Sequence, residues 1–128
     1  MSESEPARLV GPSNRVEADP SPGIRRERAI EVDGLWSGLV HTAPGATSGW
    51  HHHGDYETSI YVASGSLRME SGVDGSDIIE ATAGDFVHVP KGSIHREGNS
   101  GSEASQLVVV RAGRGVPTVN VDGPASSR

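Results

Sequence analysis

Cysteine is absent from this 128-residue chain, which excludes disulfides and thiolate metal ligands. Any bound metal must therefore be held by histidine, carboxylate or water. Long apolar runs are absent as well, and no segment approaches the length of a membrane span. Residues 1–6 contain neither a basic segment nor an apolar run, so we expect no secretory signal. These absences predict a cytoplasmic protein with no membrane partner.

Basic residues are scarce. The chain has 11 lysines and arginines against 17 acidic residues, for a net charge of -6. Non-specific nucleic-acid binding requires a basic surface, so we expect no nucleic-acid partner. The length suits one domain with a single core.

Helical periodicity is also lacking, because no segment repeats apolar residues at a spacing of 3.6 over a useful length. Instead, 17 glycines and 8 prolines spread through the chain separate short segments rich in β-forming residues. This pattern predicts an all-β sandwich or barrel. We assign residues 24–121 to one domain, residues 1–23 to a flexible N-terminal arm and residues 122–128 to a C-terminal tail.

Three of the six histidines stand in a row at positions 51–53. Side chains alternate along a β-strand, so His51 and His53 project from one face and His52 from the other. Two imidazoles on one face of a rigid strand are half of a metal site. A third imidazole, His95, lies in a second segment marked by glycine and proline, residues 84–99.

These two segments resemble the paired motifs of the cupin family. The first family motif runs glycine, five residues, His-x-His, three or four residues, glutamate, six residues, glycine. The second runs glycine, five residues, Pro-x-Gly, two residues, histidine, three residues, asparagine. The matching positions are Gly45, His51, His53, Glu57 and Gly65 in the first motif, and Gly84, Pro90, Gly92, His95 and Asn99 in the second.

The resemblance implies a double-stranded β-helix, the jelly-roll barrel of the cupins. It also implies that His51, His53, Glu57 and His95 hold one divalent transition metal inside that barrel. The ion would be Zn, Ni, Fe, Cu or Mn, since imidazole ligands do not select one of these. Three histidine ligands leave coordination positions open to substrate, as in catalytic metal sites.

The spacing around Glu57 leaves two alternatives. Three residues separate His53 from Glu57, as the motif permits, but seven rather than six separate Glu57 from Gly65. Counting back from Gly65 puts Thr58 in the position of the glutamate, with Tyr61 facing away from the core. If Glu57 faces inward, a β-bulge is needed. We slightly favour Glu57, because a carboxylate is a far better ligand than a hydroxyl.

Four other side chains are candidates for the pocket, and each has an ordinary alternative. Trp50 and Tyr61 are predicted pocket walls, or else core or subunit-contact residues. His41 and His88 are predicted to support the ligands or exchange protons, or else to be packed histidines. Arg96 and Glu97 are expected to be surface charges.

The resemblance favours an enzyme that acts on a small organic molecule, with chemistry like that of the metal-dependent dioxygenases. We favour an enzyme over a regulator because regulators of this family more often carry a helical DNA-binding domain, and the sequence shows no such segment. A metal-dependent isomerase and a non-catalytic ligand-binding or sensor protein remain alternatives, since fold does not choose between them. We also expect a homodimer formed through edge strands, at residues 24–32 and 116–121.

Overall fold

A computed structural model describes residues 4–126 of the chain. These residues form eleven strands and one short 3-10 turn, Pro12–Asn14, and they contain no α-helix. No helix in this part of the chain has the length and apolar character needed to cross a membrane. The strands are β1 (Val16–Ser21), β2 (Ile24–Val32), β3 (Leu35–Thr42), β4 (His51–His52), β5 (Glu57–Ser64), β6 (Ser66–Ser71), β7 (Asp77–Thr82), β8 (Phe86–Val89), β9 (His95–Gly98), β10 (Ser105–Ala112) and β11 (Val119–Asn120).

Two antiparallel sheets make up the fold. The first has the strand order β1-β2-β3-β10-β5-β8, and the second has the order β11-β4-β9-β6-β7. Hydrogen bonds do not close these sheets into a continuous barrel within the described residues. The predicted all-β, double-sheet jelly roll is confirmed.

One core lies between the sheets, and the strands that form it alternate as expected for a sheet with one buried face. In β10, Leu107 and Val109 are buried while Val108 and Val110 are partly exposed. In β6, Leu67 and Met69 contribute buried side chains from the second sheet. Because both sheets direct apolar side chains into one cluster, burial of these residues holds the two layers together.

The predicted N-terminal arm contains a strand that sequence reasoning did not identify. Strand β1 pairs with β2, with Val16 opposite Arg28 and Ser21 opposite Ile24. Strand β2 is therefore an inner strand, and its predicted place at the sheet edge was wrong. The polar composition of β1, which has no buried residue, explains why its sequence shows no alternation. The predicted domain boundaries and the flexibility of the arm stay predictions.

Two motif residues fix the chain where the site-bearing strands end. Gly65 has a φ of +77°, and a Cβ there would lie 2.7 Å from the Cα of Ser105, so only glycine fits this turn. Asn99 follows β9 and is buried. Its Nδ2 donates to the carbonyl oxygens of Thr42 and Glu103, at 3.0 and 2.7 Å. These contacts hold the end of the strand that carries His95.

Candidate metal centre

The three predicted histidine ligands converge. His51 lies on β4, His53 directly follows that strand, and His95 begins β9 as the cross-strand partner of His51. All three side chains are buried, and one ring nitrogen from each lies within 4.8 Å of the others. The structure thus brings together two residues that share a strand face and a third that is distant in sequence.

Hydrogen bonds to backbone carbonyls orient the three rings. Nδ1 of His51 lies 2.9 Å from the carbonyl oxygen of Gly49, and Nδ1 of His53 lies 2.8 Å from that of Pro117. Nδ1 of His95 contacts the carbonyl oxygen of Ser93 at 3.0 Å. A carbonyl only accepts, so each Nδ1 carries the hydrogen and each Nε2 keeps its lone pair. This is the arrangement that metal-binding histidines require.

Two of the histidines, His51 and His53, are also held neutral. Burial lowers the pKa of His51, and the nearby His95 lowers it further. Burial likewise lowers the pKa of His53 to about 3, with Arg111 adding to the effect. Nε2 of His95 is buried and has no hydrogen-bond partner among residues 4–126. Neutral imidazoles and an unpartnered buried nitrogen fit a divalent transition metal.

The structure does not place Glu57 in this cluster. Its side chain is 49% exposed on the outer face of β5, and its Oε1 lies 2.7 Å from Nε2 of His88. Thr58 faces inward instead, is 2% exposed, and has an Oγ1 without a hydrogen-bond partner among the described residues. The reason is register. Strand β5 alternates regularly from Thr58 through Val62, and its one irregularity against β10 falls after Val62. The slight preference for Glu57 was therefore wrong.

A carboxylate does lie beside the histidines, and it belongs to Glu97. Its side chain is 12% exposed, and its Oε1 lies 3.7 Å from Nε2 of His51. Burial raises the pKa of Glu97, but the fields of His95 and His51 in their protonated forms, together with that of Arg26, outweigh burial and leave the pKa lowered. The carboxylate is therefore ionised. The expectation that Glu97 is a surface charge was wrong. Glu97 stands two residues after His95, and residues two apart share one face of a strand, so this spacing was the signal in the sequence.

The four remaining candidates lie outside the cluster. Nε2 of His41 bonds to Oε1 of Glu27 at 2.9 Å, and His88 is exposed with Glu57. The Trp50 ring lies under the guanidinium of Arg96, 4.7 Å from its centroid. Tyr61 packs on Phe86 on the outer face, with ring centroids 4.8 Å apart. None of these contacts reaches the histidine cluster, and His88 is exposed, so the alternative of a packed histidine is wrong for it. Tyr61 faces away as expected if Thr58 faces inward.

A cavity of about 270 Å³ opens beside the cluster. His51 and His53 line one wall, and residues 19–21 of β1 line another. Two arginines that sequence reasoning missed, Arg26 and Arg111, also line it. Each arginine lies on the inward face of its strand, at the next inward position after a buried apolar residue. The burial pattern of the strand therefore includes the arginine. The cavity gives a small molecule access to His51 and His53.

Comparison with known families matches residues 38–111, more than half of the chain, to the cupin domain. The chain belongs to the cupin family. A comparison with curated protein sequences found no significant match.

Solved structures give this cupin several relatives of the same fold. A conserved protein with a double-stranded β-helix domain from Klebsiella pneumoniae superposes with a TM-score of 0.73 at 24% identity, covering 91% of this chain and 99% of that chain. KdgF from Halomonas sp. gives 0.69 at 19% identity, with 85% and 96% covered. Bacillus subtilis oxalate decarboxylase, a protein with Mn(II) centres, gives 0.69 at 26% identity. The superposition covers 80% of this chain and 29% of the oxalate decarboxylase chain.

Proposed function

We propose that this cupin holds one divalent transition metal through Nε2 of His51, His53 and His95, and that it acts as an enzyme on a small organic molecule, in the manner of the metal-dependent dioxygenases. One observation carries the proposal. Three buried imidazoles converge, each with its Nδ1 at a backbone carbonyl, and two of them, His51 and His53, line a cavity of about 270 Å³. When bound, the ion supplies a Lewis acid and, if it is iron, nickel, copper or manganese, a redox centre.

Glu97 has two roles in this proposal. Its negative charge, 3.7 Å from Nε2 of His51, offsets the charge of the ion and strengthens its binding. Its Oε1 is also an ionised oxygen beside the cluster, where it can accept a proton from a substrate. A base of this kind serves an isomerase as well as a dioxygenase, so zinc-dependent isomerisation is the second catalytic candidate.

The arrangement of the chain around the cavity supports positioning and exclusion of water. The histidines are held by backbone carbonyls and by strands β4 and β9, so their geometry is fixed before a substrate binds. Residues 19–21 of β1 form part of the cavity wall. In this arrangement a substrate in the cavity reaches His51 and His53 without a conformational change.

The experiment is a substrate screen on the iron, nickel, copper, manganese and zinc forms of the protein. Flavonols, enediols, diketones and dihydroxy-aromatics are incubated with each form, with an oxygen electrode and mass detection as readouts. We expect metal-dependent turnover that His51→Ala and His95→Ala abolish while circular dichroism shows the fold intact. Tight binding without any conversion on every metal form would favour the alternative, a non-catalytic ligand-binding or sensor protein.

We also propose that the protein is a homodimer, through a surface that differs from the two edge strands predicted from sequence. The outer face of the first sheet carries partly exposed apolar residues in register, Val108 opposite Tyr61 and Tyr61 opposite Phe86. Phe86 is 73% exposed, which is costly for an aromatic ring in water. Light scattering of the parent and of Phe86→Glu tests this, because only the variant should be monomeric.

A further inference from the structure

We propose that the ligand of this cavity is a small organic acid, and that the guanidinium of Arg111 binds its carboxylate. This inference rests on the proposed function, because it names the substrate class of the same site. It depends on Arg111, on the charge around the cavity and on the cavity's size.

Arg111 is a buried cation without a polar partner for its Nε. The residue is 5% exposed, and its Nε has no hydrogen-bond partner within residues 4–126. Its guanidinium lies over the Trp36 ring, 4.3 Å from the centroid, which holds the plane in place. Buried polar groups are almost always hydrogen-bonded, so an orphaned donor that lines a cavity indicates a missing acceptor. A carboxylate matches the forked donors of arginine.

A second polar orphan lies next to Arg111. Thr58 is its cross-strand neighbour on β5, and the buried Oγ1 of Thr58 also lacks a partner among the described residues. Two buried polar groups without partners among the described residues thus lie side by side on the inner face, and Arg111 is the one that lines the cavity.

Charge around the cavity favours an anion. Arg26 is a second buried cation on the lining, and its NH1 donates to the carbonyl oxygen of Asp19 at 2.7 Å and to Oγ of Ser21 at 3.2 Å. These bonds also fix β1 as the wall of the cavity. Against these two arginines the lining holds one carboxylate, that of the exposed Asp19. Glu97 lies beside His51 but is not among the lining residues. Burial lowers the pKa of Arg111, Glu97 raises it, and the neighbouring cation of Arg26 lowers it further.

The size of the cavity restricts the acid. A volume of about 270 Å³ is below the usual range of drug-sized sites. His53 and Arg111 both line this space, so one molecule of a few carbon atoms can contact both. The acid therefore has one end at the cluster of histidines and a carboxylate at Arg111.

The test measures binding of malonate to the zinc form by calorimetry, with malonamide as the neutral analogue of the same shape. The variants are Arg111→Met, Arg111→Lys, which keeps the charge but loses the fork, and the matched control Arg114→Met. Arg114 is an exposed arginine paired with Asp33 and lies outside the cavity lining. Zinc content is measured for every protein, and malonate binding is repeated on the metal-free forms.

We expect malonate to bind and malonamide not to bind. Arg111→Met should weaken malonate binding by about tenfold or more, because charge-assisted hydrogen bonds are lost. Arg111→Lys should weaken it less, and Arg114→Met should leave it unchanged, with zinc content equal in all. Equal binding by the parent and both Arg111 variants would overturn the inference, as would equal affinity for malonamide or no binding of malonate to any form.

The two proposals can fail separately. If the protein takes up no metal but the metal-free form binds malonate in an Arg111-dependent way, the anion site stands and the metal centre falls. If zinc is held but malonate binding ignores Arg111, the metal centre stands and the anion site falls.

Discussion

Oε1 of Glu97 lies 3.7 Å from Nε2 of His51. The carboxylate of this site therefore comes from strand β9, two residues after His95, and not from the strand that follows the first two histidines. The position that carries glutamate in the first cupin motif is occupied by Thr58, whose side chain faces inward. This cupin has three histidines in the usual places and a carboxylate on a different strand.

The first prediction compares two glutamates by the same substitution. Glu97→Gln should weaken metal binding by about tenfold to a hundredfold, since it removes a negative charge beside the ligands. Glu57→Gln should leave affinity within a factor of about two, because Glu57 lies on the outer face with His88. Competition with a metallochromic chelator at neutral pH measures both. If Glu57→Gln weakened metal binding more than Glu97→Gln did, Glu57 and not Glu97 would be the carboxylate that supports the metal.

The second prediction concerns stability and pH. The pKa of His53 is about 3 in the folded chain, against ~6.5 when unfolded. Between these values only the unfolded chain binds the proton, so stability of the metal-free protein is full above pH ~6.5 and is lost as pH falls toward ~3. His51 shifts in the same direction. The free energy of unfolding should fall by about 1.4 kcal/mol per pH unit for His53 alone.

Urea unfolding of the metal-free protein between pH ~6.5 and ~5 measures this loss, above the range where most carboxylates titrate. The matched variant His53→Gln should show a shallower dependence on pH, because glutamine does not titrate. Parallel pH profiles for the parent and His53→Gln would show that His53 is not buried as a neutral imidazole.

The third prediction tests the support of the site strand. Asn99→Ala should lower the free energy of unfolding by about 1–3 kcal/mol, because the carbonyl oxygens of Thr42 and Glu103 lose their donors in a buried place. The control Asn14→Ala changes an exposed asparagine in the 3-10 turn and should stay within about 0.5 kcal/mol. Chemical denaturation checks both, and an equal effect of the two substitutions would contradict the structural role of Asn99.

The fourth prediction concerns the N-terminal segment. Trypsin should cleave readily after Arg8, which is exposed and precedes every strand. It should cleave slowly after Arg25 and Arg26, because β1 pairs along β2 and Arg26 bonds back to Asp19 and Ser21. Mass spectrometry of the fragments over time shows the order. Early release of the whole segment up to Arg25 would support the prediction of a flexible arm over residues 1–23.

Local patterns predicted the all-β fold, and a spacing of two placed His51 and His53 on one strand face. The convergence of the distant His95 with them was implied by the resemblance to the paired cupin motifs. The same period applied to His95 identifies Glu97, but the charge of Glu97 was taken as a mark of solvent exposure. Charged residues are rarely buried unless they serve a site, so this assumption fails at functional positions.

The remaining features depend on tertiary register, which a single sequence does not contain. Whether Glu57 or Thr58 faces inward is decided by pairing of β5 with β10 and β8. The burial of Arg26 and Arg111 depends on β1 covering the cavity and on Trp36 lying beneath a guanidinium. Strand β1 itself has a polar sequence and is stabilised by its pairing with β2, so no apolar period marks it.

The most direct test of this account is the metal content of the protein, purified without a chelator or a histidine tag and titrated with Zn, Ni, Fe, Cu and Mn at neutral pH. We expect about one divalent transition-metal ion per chain. We also expect loss of that ion in His51→Ala, His53→Ala and His95→Ala, while the exposed control His88→Ala retains it. A protein that is metal-free as isolated and takes up none of the five ions, or three histidine variants that bind as the parent does, would contradict it.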